Sequence, residues 1–233
     1  MANKDLKTRS TISNAVKNNN TSKYKVGDTK EVDLGTYGTH TLRIANMSTP
    51  NECNDSNFSQ SACGFVLEFA DIITTRVMNT TSGNEGGWPG SQMKTFINND
   101  IYNALPEDLK GVIKDTVTVS GYGKYDTDNF TSTDKLYLLA TAEVWAQGTS
   151  NTIDYDTARD KTRQLDYYNS KGVTTSSKDG TIKKNSTGTD GWWWLRSADS
   201  SNSHYFYFVH YSGEWYKIRG VGSFGISPAF RIG

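Results

Sequence analysis

His204 and His210 lie in sequence among Ser203, Ser212 and Asp199, residue types from which hydrolases assemble a base, a nucleophile and an orienting acid. Such types fall close together in any serine-rich stretch, and only geometry makes a triad of them. A hydrolase is therefore the lesser reading. Asp154, Asp156 and Asp160 offer oxygens that suit a hard cation, but a solvated acidic loop is the simpler account. Cys53 and Cys63 are the only cysteines; their separation suits a small disulfide-closed loop or two free thiols, and a zinc site needs further ligands. A disulfide would imply an oxidising compartment. The chain carries no glycine-rich phosphate loop, His-Glu-x-x-His helix, Gly-x-Ser-x-Gly elbow or calcium-loop spacing. The expectation is a protein without catalytic residues, metal or cofactor.

A different chemistry fills residues 198–224, where Tyr, Trp, Phe, Ser, Asn and His crowd together. Tyr and Trp give large amphipathic contact at low entropic cost, and Ser and Asn give adaptable hydrogen bonds. The run reads as two strands, residues 205–210 and 214–219, turning at Tyr211-Ser212-Gly213. Strand side chains alternate between faces, so a hairpin covered on one side leaves about half of these rings facing water or a partner. That predicts a binding surface, unless both faces are buried.

Elements that must position this hairpin are legible upstream. Residues 1–22 are polar, with Leu6, Ile12 and Val16 hinting at a short amphipathic helix within what reads as a tether. Residues 30–34 and 39–46 alternate as strands around Gly35-Thr36-Tyr37-Gly38, and residues 64–78 form a β-rich run. Ser91 can cap a helix carrying Met93, Phe96, Ile97, Ile101 and Leu105 at helical spacing, and Pro106 starts a second with Leu109, Val112 and Ile113 as its apolar face. Residues 117–120 and 135–139 read as buried strands, 141–145 as a brief helix, and 146–191 as a glycine-punctuated irregular stretch. Helices on a mainly antiparallel sheet make one α+β domain over residues 23–233.

The chain has 233 residues, 25 Lys plus Arg against 25 Asp plus Glu, and zero formal charge, so nothing points to a nucleic-acid or anionic-membrane partner. A mean hydropathy of −0.64 and the lack of a long apolar run argue against membrane insertion. The first residues show no apolar signal-peptide core, weak evidence about compartment.

The frame Gly191-Trp192-Trp193-Trp194-Leu195-Arg196-Ser197 with Gly225-Ile226-Ser227-Pro228-Ala229-Phe230-Arg231-Ile232 resembles a surface-domain family of gut Firmicutes and their prophages. Tyr24-Lys25-Val26-Gly27-Asp28, Thr41-Leu42-Arg43-Ile44-Ala45 and Gly87-Trp88-Pro89 through Leu105-Pro106 look like the same family. The carboxyl-terminal half is also similar to the variable proteins of diversity-generating retroelements, whose fold is C-type-lectin-like and related to formylglycine-generating enzymes. In those proteins a reverse transcriptase randomises adenines in a terminal repeat, and the diversified side chains share one ligand-facing surface. The resemblance implies an exposed binding set of Asp199, Asn202, His204, Tyr205, Tyr207, His210, Tyr211, Trp215, Tyr216, Arg219, Ser223 and Phe224, on a scaffold of Trp192, Trp193, Trp194, Leu195 and residues 228–232. It implies a display protein on a bacterial surface, secreted or on a phage particle, taking a protein or glycan receptor. A fixed-specificity adhesin or structural module is the alternative. No cysteine follows Cys63, so the oxidase chemistry of the formylglycine-generating relatives is not expected, and the Glu-Pro-Asn or Gln-Pro-Asp motifs of calcium-dependent lectins are missing.

Overall fold

Alternation around a glycine-bounded turn gives the first hairpin, β1 (Thr29–Asp33) and β2 (Thr39–Asn46), in which Val32 pairs with His40 and both point inward. The computed structural model describes residues 9–233, with side chains described from Ile12 onward; Leu6 lies outside the described residues. The strands continue as β3 (Val66–Phe69), β4 (Thr74–Val77), β5 (Thr116–Ser120), β6 (Phe130–Asp134), β7 (Lys183–Lys184), β8 (Asp190–Gly191), β9 (Trp193–Ala198), β10 (Tyr205–Val209), β11 (Trp215–Arg219), β12 (Ser223–Ile226) and β13 (Ala229–Arg231). One sheet has the order β1-β2-β3-β13, a second β11-β10-β9-β12-β4, and β5-β6 and β7-β8 are separate ribbons. Among these strands every pairing is antiparallel except β9 with β12. The β-rich run 64–78 is thus two strands in different sheets.

Ser91 caps the helical stretch as its sequence position predicts: its hydroxyl accepts from the Lys94 amide at 3.1 Å. Gln92–Phe96 runs through a π-helical segment, Ile97–Ile101, into Tyr102–Ala104, and buries Met93, Ile97 and Ile101. The helix after Pro106 is a single turn, Glu107–Lys110. Helix α1 (Arg9–Lys17) lies within the segment read as a tether, yet it buries Ile12 and Ala15 and packs near Leu109 and Val112.

Residues 135–139 are not a sheet strand, contrary to the apolar run's prediction. Leu136, Tyr137, Leu138 and Leu139 are all fully buried, and side chains largely replace a neighbouring strand. The Asn98 amide takes the Lys135 and Leu136 N–H groups at 3.0 Å each and donates to the Leu136 carbonyl, and Arg196 donates to the Leu138 carbonyl. Only Tyr137 makes a β-bridge, to Ala229. The polar β6, which pairs with β5, escapes the sequence because its exposed positions are Thr and its inward ones Ser132 and Asp134.

Both sheets and the helices share one apolar core, so the chain forms a single mixed α+β domain with mostly antiparallel sheets. Two buried ion clusters cross it. Arg196 forms a bidentate pair with Glu143, and Glu68 is held by Arg43 at 2.8 Å and Lys183 at 2.7 Å. Burial raises the Glu68 pKa, but the Arg43 and Lys183 cations overcome that and hold it down to about 2. Cys53 and Cys63 are joined by a disulfide. Among the described residues no helix is long and apolar enough to cross a membrane.

Candidate ligand-binding surface

β10 and β11 form the expected hairpin, in register from Tyr205 opposite Arg219 to Val209 opposite Trp215. Its turn is pinned at several points. The His210 amide donates to the Glu214 carbonyl, and the Gly213 amide donates to the His210 carbonyl, both at 2.8 Å. Gly213 has a φ of +83°, and a Cβ there would stand 2.6 Å from Thr181 Oγ1 and 2.9 Å from the Lys178 carbonyl. Only glycine fits that left-handed corner against that wall. Ser212 Oγ donates to Glu214 Oε2 at 2.9 Å, and Lys178 Nζ stands 2.7 Å from Glu214 Oε1. The Lys178 contact, then Ser212, pulls the Glu214 carboxyl below its ordinary pKa.

Around this turn the rings condense into one exposed cluster. Trp192 stacks with His210 at 5.5 Å between centroids and with Tyr211 at 6.3 Å, nearly parallel to each, and meets Phe224 edge-on at 4.9 Å. Tyr216 stacks on Phe208 at 6.1 Å and reaches His210 at 5.0 Å. Tyr211 is 51% exposed, Tyr216 48% and Trp192 39%, whereas Phe208 and Phe224, against which Trp192 and Tyr216 pack, are buried. Exposed rings resting on buried rings have little freedom to collapse away from water.

The structure divides the expected binding set. Tyr211, Tyr216, Arg219 and Ser223 are exposed, and Asn202, His204, Tyr205, His210 and Trp215 are half-buried. Asp199, Tyr207 and Phe224 are buried, which corrects their expected exposure. Asp199 turns in to pair with Lys217 at 2.8 Å, and Tyr207 packs against Trp215 at 5.7 Å. Burial, with the Asp199 and Asp156 charges, pushes the Tyr207 phenol pKa well up. β10 is buried on both faces, with Phe206 and Phe208 pointing to one side and Tyr207 and Val209 to the other, so the half-exposed alternation expected of it does not apply. The set also splits along the hairpin. His210, Tyr211 and Tyr216 gather at the turn, while Asn202, His204, Tyr205 and Arg219 sit at the far end, roughly 13 Å away at strand rise. Trp192, expected in the scaffold, is instead the centre of the exposed cluster. Its only sequence signal is its place beside Gly191, just before β9 begins.

Two open grooves flank the cluster. One lies among Ile72, Thr75, Asn185, Asp190, Trp192 and Ser223, and the other among Ser150, Asn151, Ser176, Lys178, Trp215 and Tyr216. Sequence reading missed the walls from residues 150–190 because they are ordinary loop residues until β10 and β11 meet them.

The residues that suggested a triad are not arranged as one. His204 Nδ1 meets the Ser82 carbonyl at 2.8 Å, and at the turn Ser212 stands between the His210 ring and Glu214, where a relay needs the imidazole in the middle. Asp154, Asp156 and Asp160 go separate ways: Thr152 donates to Asp154, Thr141 and Ser197 donate to buried Asp156, and Asp160 pairs with Lys161. Among the described residues no three His, Cys, Asp or Glu side chains are grouped to hold a metal.

No curated protein and no solved structure matches the chain. Residues 65–233, well over half of the sequence and all of the aromatic cluster, match a family described as a domain of unknown function, DUF6273, and the chain belongs to that family.

Proposed function

We propose that this protein is a recognition domain that binds a receptor through the aromatic cluster at the β10–β11 turn. The observation that carries the reading is the set of exposed rings, in which Trp192 and Tyr216 rest on buried Phe208 and Phe224 and Tyr211 stacks on Trp192. A contiguous exposed apolar patch on a rigid frame marks an interaction site, and pre-positioned rings lose little entropy on contact. The C-type-lectin-like fold, with diversification of residues 198–224 by a retroelement, belongs to the same proposal. So does display outside the cell or on a phage particle, which the disulfide favours. The diversified positions are then the surface-reaching ones, Asn202, His204, Tyr205, His210, Tyr211, Trp215, Tyr216, Arg219 and Ser223, with Asp199, Tyr207 and Phe224 kept as framework.

Sequencing this gene across a natural host population tests it. Dense substitution at those nine codons, sparse substitution at Asp199, Tyr207, Phe224 and residues 225–233, is expected. Even, sparse variation throughout overturns the retroelement part and leaves an adhesin of fixed specificity.

A further inference from the structure

The ligand class can be read from what surrounds the rings. Both flanking grooves are walled by hydroxyls and amides: Thr75, Ser223 and Asn185 on one side, Ser150, Asn151 and Ser176 on the other. Among the described residues, the Thr75, Ser223, Tyr211 and Tyr216 hydroxyls and the Asn151 side-chain amide make no hydrogen bond within the protein. Their donors and acceptors are available to a ligand. The charges at the grooves cancel locally, since Asp190 pairs with Lys184 at 3.1 Å and Lys178 with Glu214 at 2.7 Å. An anionic polymer or a strongly charged protein face would meet no complementary field here.

Flat exposed rings between neutral, hydroxyl-rich grooves match a ligand with apolar faces and a rim of hydroxyls. The grooves are open to solvent along the surface, so they suit a chain lying across it more than an enclosed small molecule. We propose that the surface binds an uncharged glycan chain: sugar rings lie on Trp192, Tyr211 and Tyr216, and their hydroxyls bond in the two grooves. The positive edge of each sugar C–H face meets the negative face of an indole or phenol, which is the geometry aromatic quadrupoles favour. This inference rests on the recognition reading and names its ligand. It calls on no metal, because nothing in the arrangement of rings and hydroxyls requires one.

Affinity electrophoresis of the full chain, with EDTA throughout, tests the inference. The gels hold a neutral polysaccharide, xyloglucan, galactomannan or mannan, each rich in vicinal diols, or the anionic control polygalacturonate. The expected result is retardation by at least one neutral polymer and none by the control, with retention about tenfold weaker in Trp192→Ala and Tyr216→Ala. Both side chains also pack on Phe208, so each truncation costs some stability, and retention is compared at a temperature where thermal unfolding shows every variant to be folded. A tryptophan-fluorescence titration of the wild-type chain with an oligosaccharide of the retarding polymer reads the same contact without any substitution.

A second arm separates this inference from the one beneath it. Labelled protein is applied to intact bacterial and epithelial cells after periodate, which cleaves vicinal diols, or after protease. Binding lost to periodate and weakened by Trp192→Ala supports the glycan. No retardation by any neutral polymer, with cell binding that survives periodate and is lost to protease, overturns the glycan and leaves a protein receptor. Cell binding that is absent, or unchanged by both substitutions, overturns the recognition reading itself.

Discussion

Arg196 stands in the middle of β9 with no exposed surface, and its charge is compensated entirely from within the protein. Its guanidinium bonds both Glu143 oxygens at 2.6 Å, the Leu138 carbonyl at 2.8 Å and Ser61 Oγ at 3.0 Å. Glu143 in turn accepts from the Ala140 amide, Thr162 Oγ1 and Ser61 Oγ. Replacing one member of such a pair strands the other charge in a medium that cannot solvate it, which costs about 3–5 kcal/mol. Arg196→Met is therefore expected to lower stability by about that much in urea unfolding, and Arg196→Met with Glu143→Leu to recover much of the loss. A double variant as unstable as the single would show that the hydrogen bonds Glu143 takes from Ala140, Thr162 and Ser61, and not the charge pair, govern the site. Residue by residue, the proposed binding surface was partly visible in the sequence. Tyr211 and Tyr216 follow from a hairpin with Gly213 at its corner, but Phe224 and Tyr207 have the same aromatic character and lie inside. Ring type does not report which side of a sheet is covered, and neither does the string Trp192-Trp193-Trp194, of which only the first member reaches solvent.

The hairpin of β1 and β2 is held at its turn by His40, which is 4% exposed. Its Nδ1 lies 3.0 Å from Asp71 Oδ2 and its Nε2 2.8 Å from the Tyr37 carbonyl. Both partners are acceptors, so the ring satisfies both only when it carries both protons. Burial opposes the charge, but the Asp71 and Tyr37 bonds outweigh it, and the His40 pKa is raised above its ordinary value of 6.5. A group raised on folding contributes its full stability below its unfolded pKa and loses that contribution as pH rises through the folded one. The urea midpoint of the wild-type chain should thus fall between pH 6 and pH 8, and that fall should shrink in His40→Asn. A midpoint with the same pH slope in both proteins would rule out His40 as the source. Elements of this kind, local and alternating, were the legible part of the fold: β1 with β2 and β10 with β11 each pair across a short turn marked by glycine. The pairings that join β4 to β12 and β3 to β13 link distant segments, and nothing within a strand announces a partner more than a hundred residues away. Residues 135–139 mislead for a related reason, since Asn98 and Arg196 supply bonds that a neighbouring strand supplies elsewhere.

At the scale of the whole molecule, the disulfide-closed loop ties the periphery to the centre. Between Cys53 and Cys63 the chain buries Phe58, Ser59, Ser61 and Ala62. The Ser59 amide donates to the Lys161 carbonyl at 2.7 Å, Ser59 Oγ accepts from Val119 at 3.1 Å, and Ser61 reaches the Arg196–Glu143 pair. The loop thus touches β5, the irregular stretch around residue 161 and β9, the strand on which the β10–β11 hairpin hangs. Closing so short a loop removes entropy from the unfolded chain worth about 2–3 kcal/mol. That is smaller than the roughly 5–15 kcal/mol stability of an ordinary domain, so the reduced protein should remain folded but unfold earlier. Urea unfolding with and without dithiothreitol is expected to show a loss of about 2–3 kcal/mol, matched by Cys53→Ser with Cys63→Ser in one chain. A loss clearly beyond that range would mean that freeing the loop also disengages Ser61 from Arg196, and Arg196→Met would then add little in the reduced protein, because the two changes would break the same network. An unchanged midpoint would show that the buried contacts of residues 58–62 alone hold the loop, and that the covalent link adds nothing to the frame presenting Trp192, Tyr211 and Tyr216.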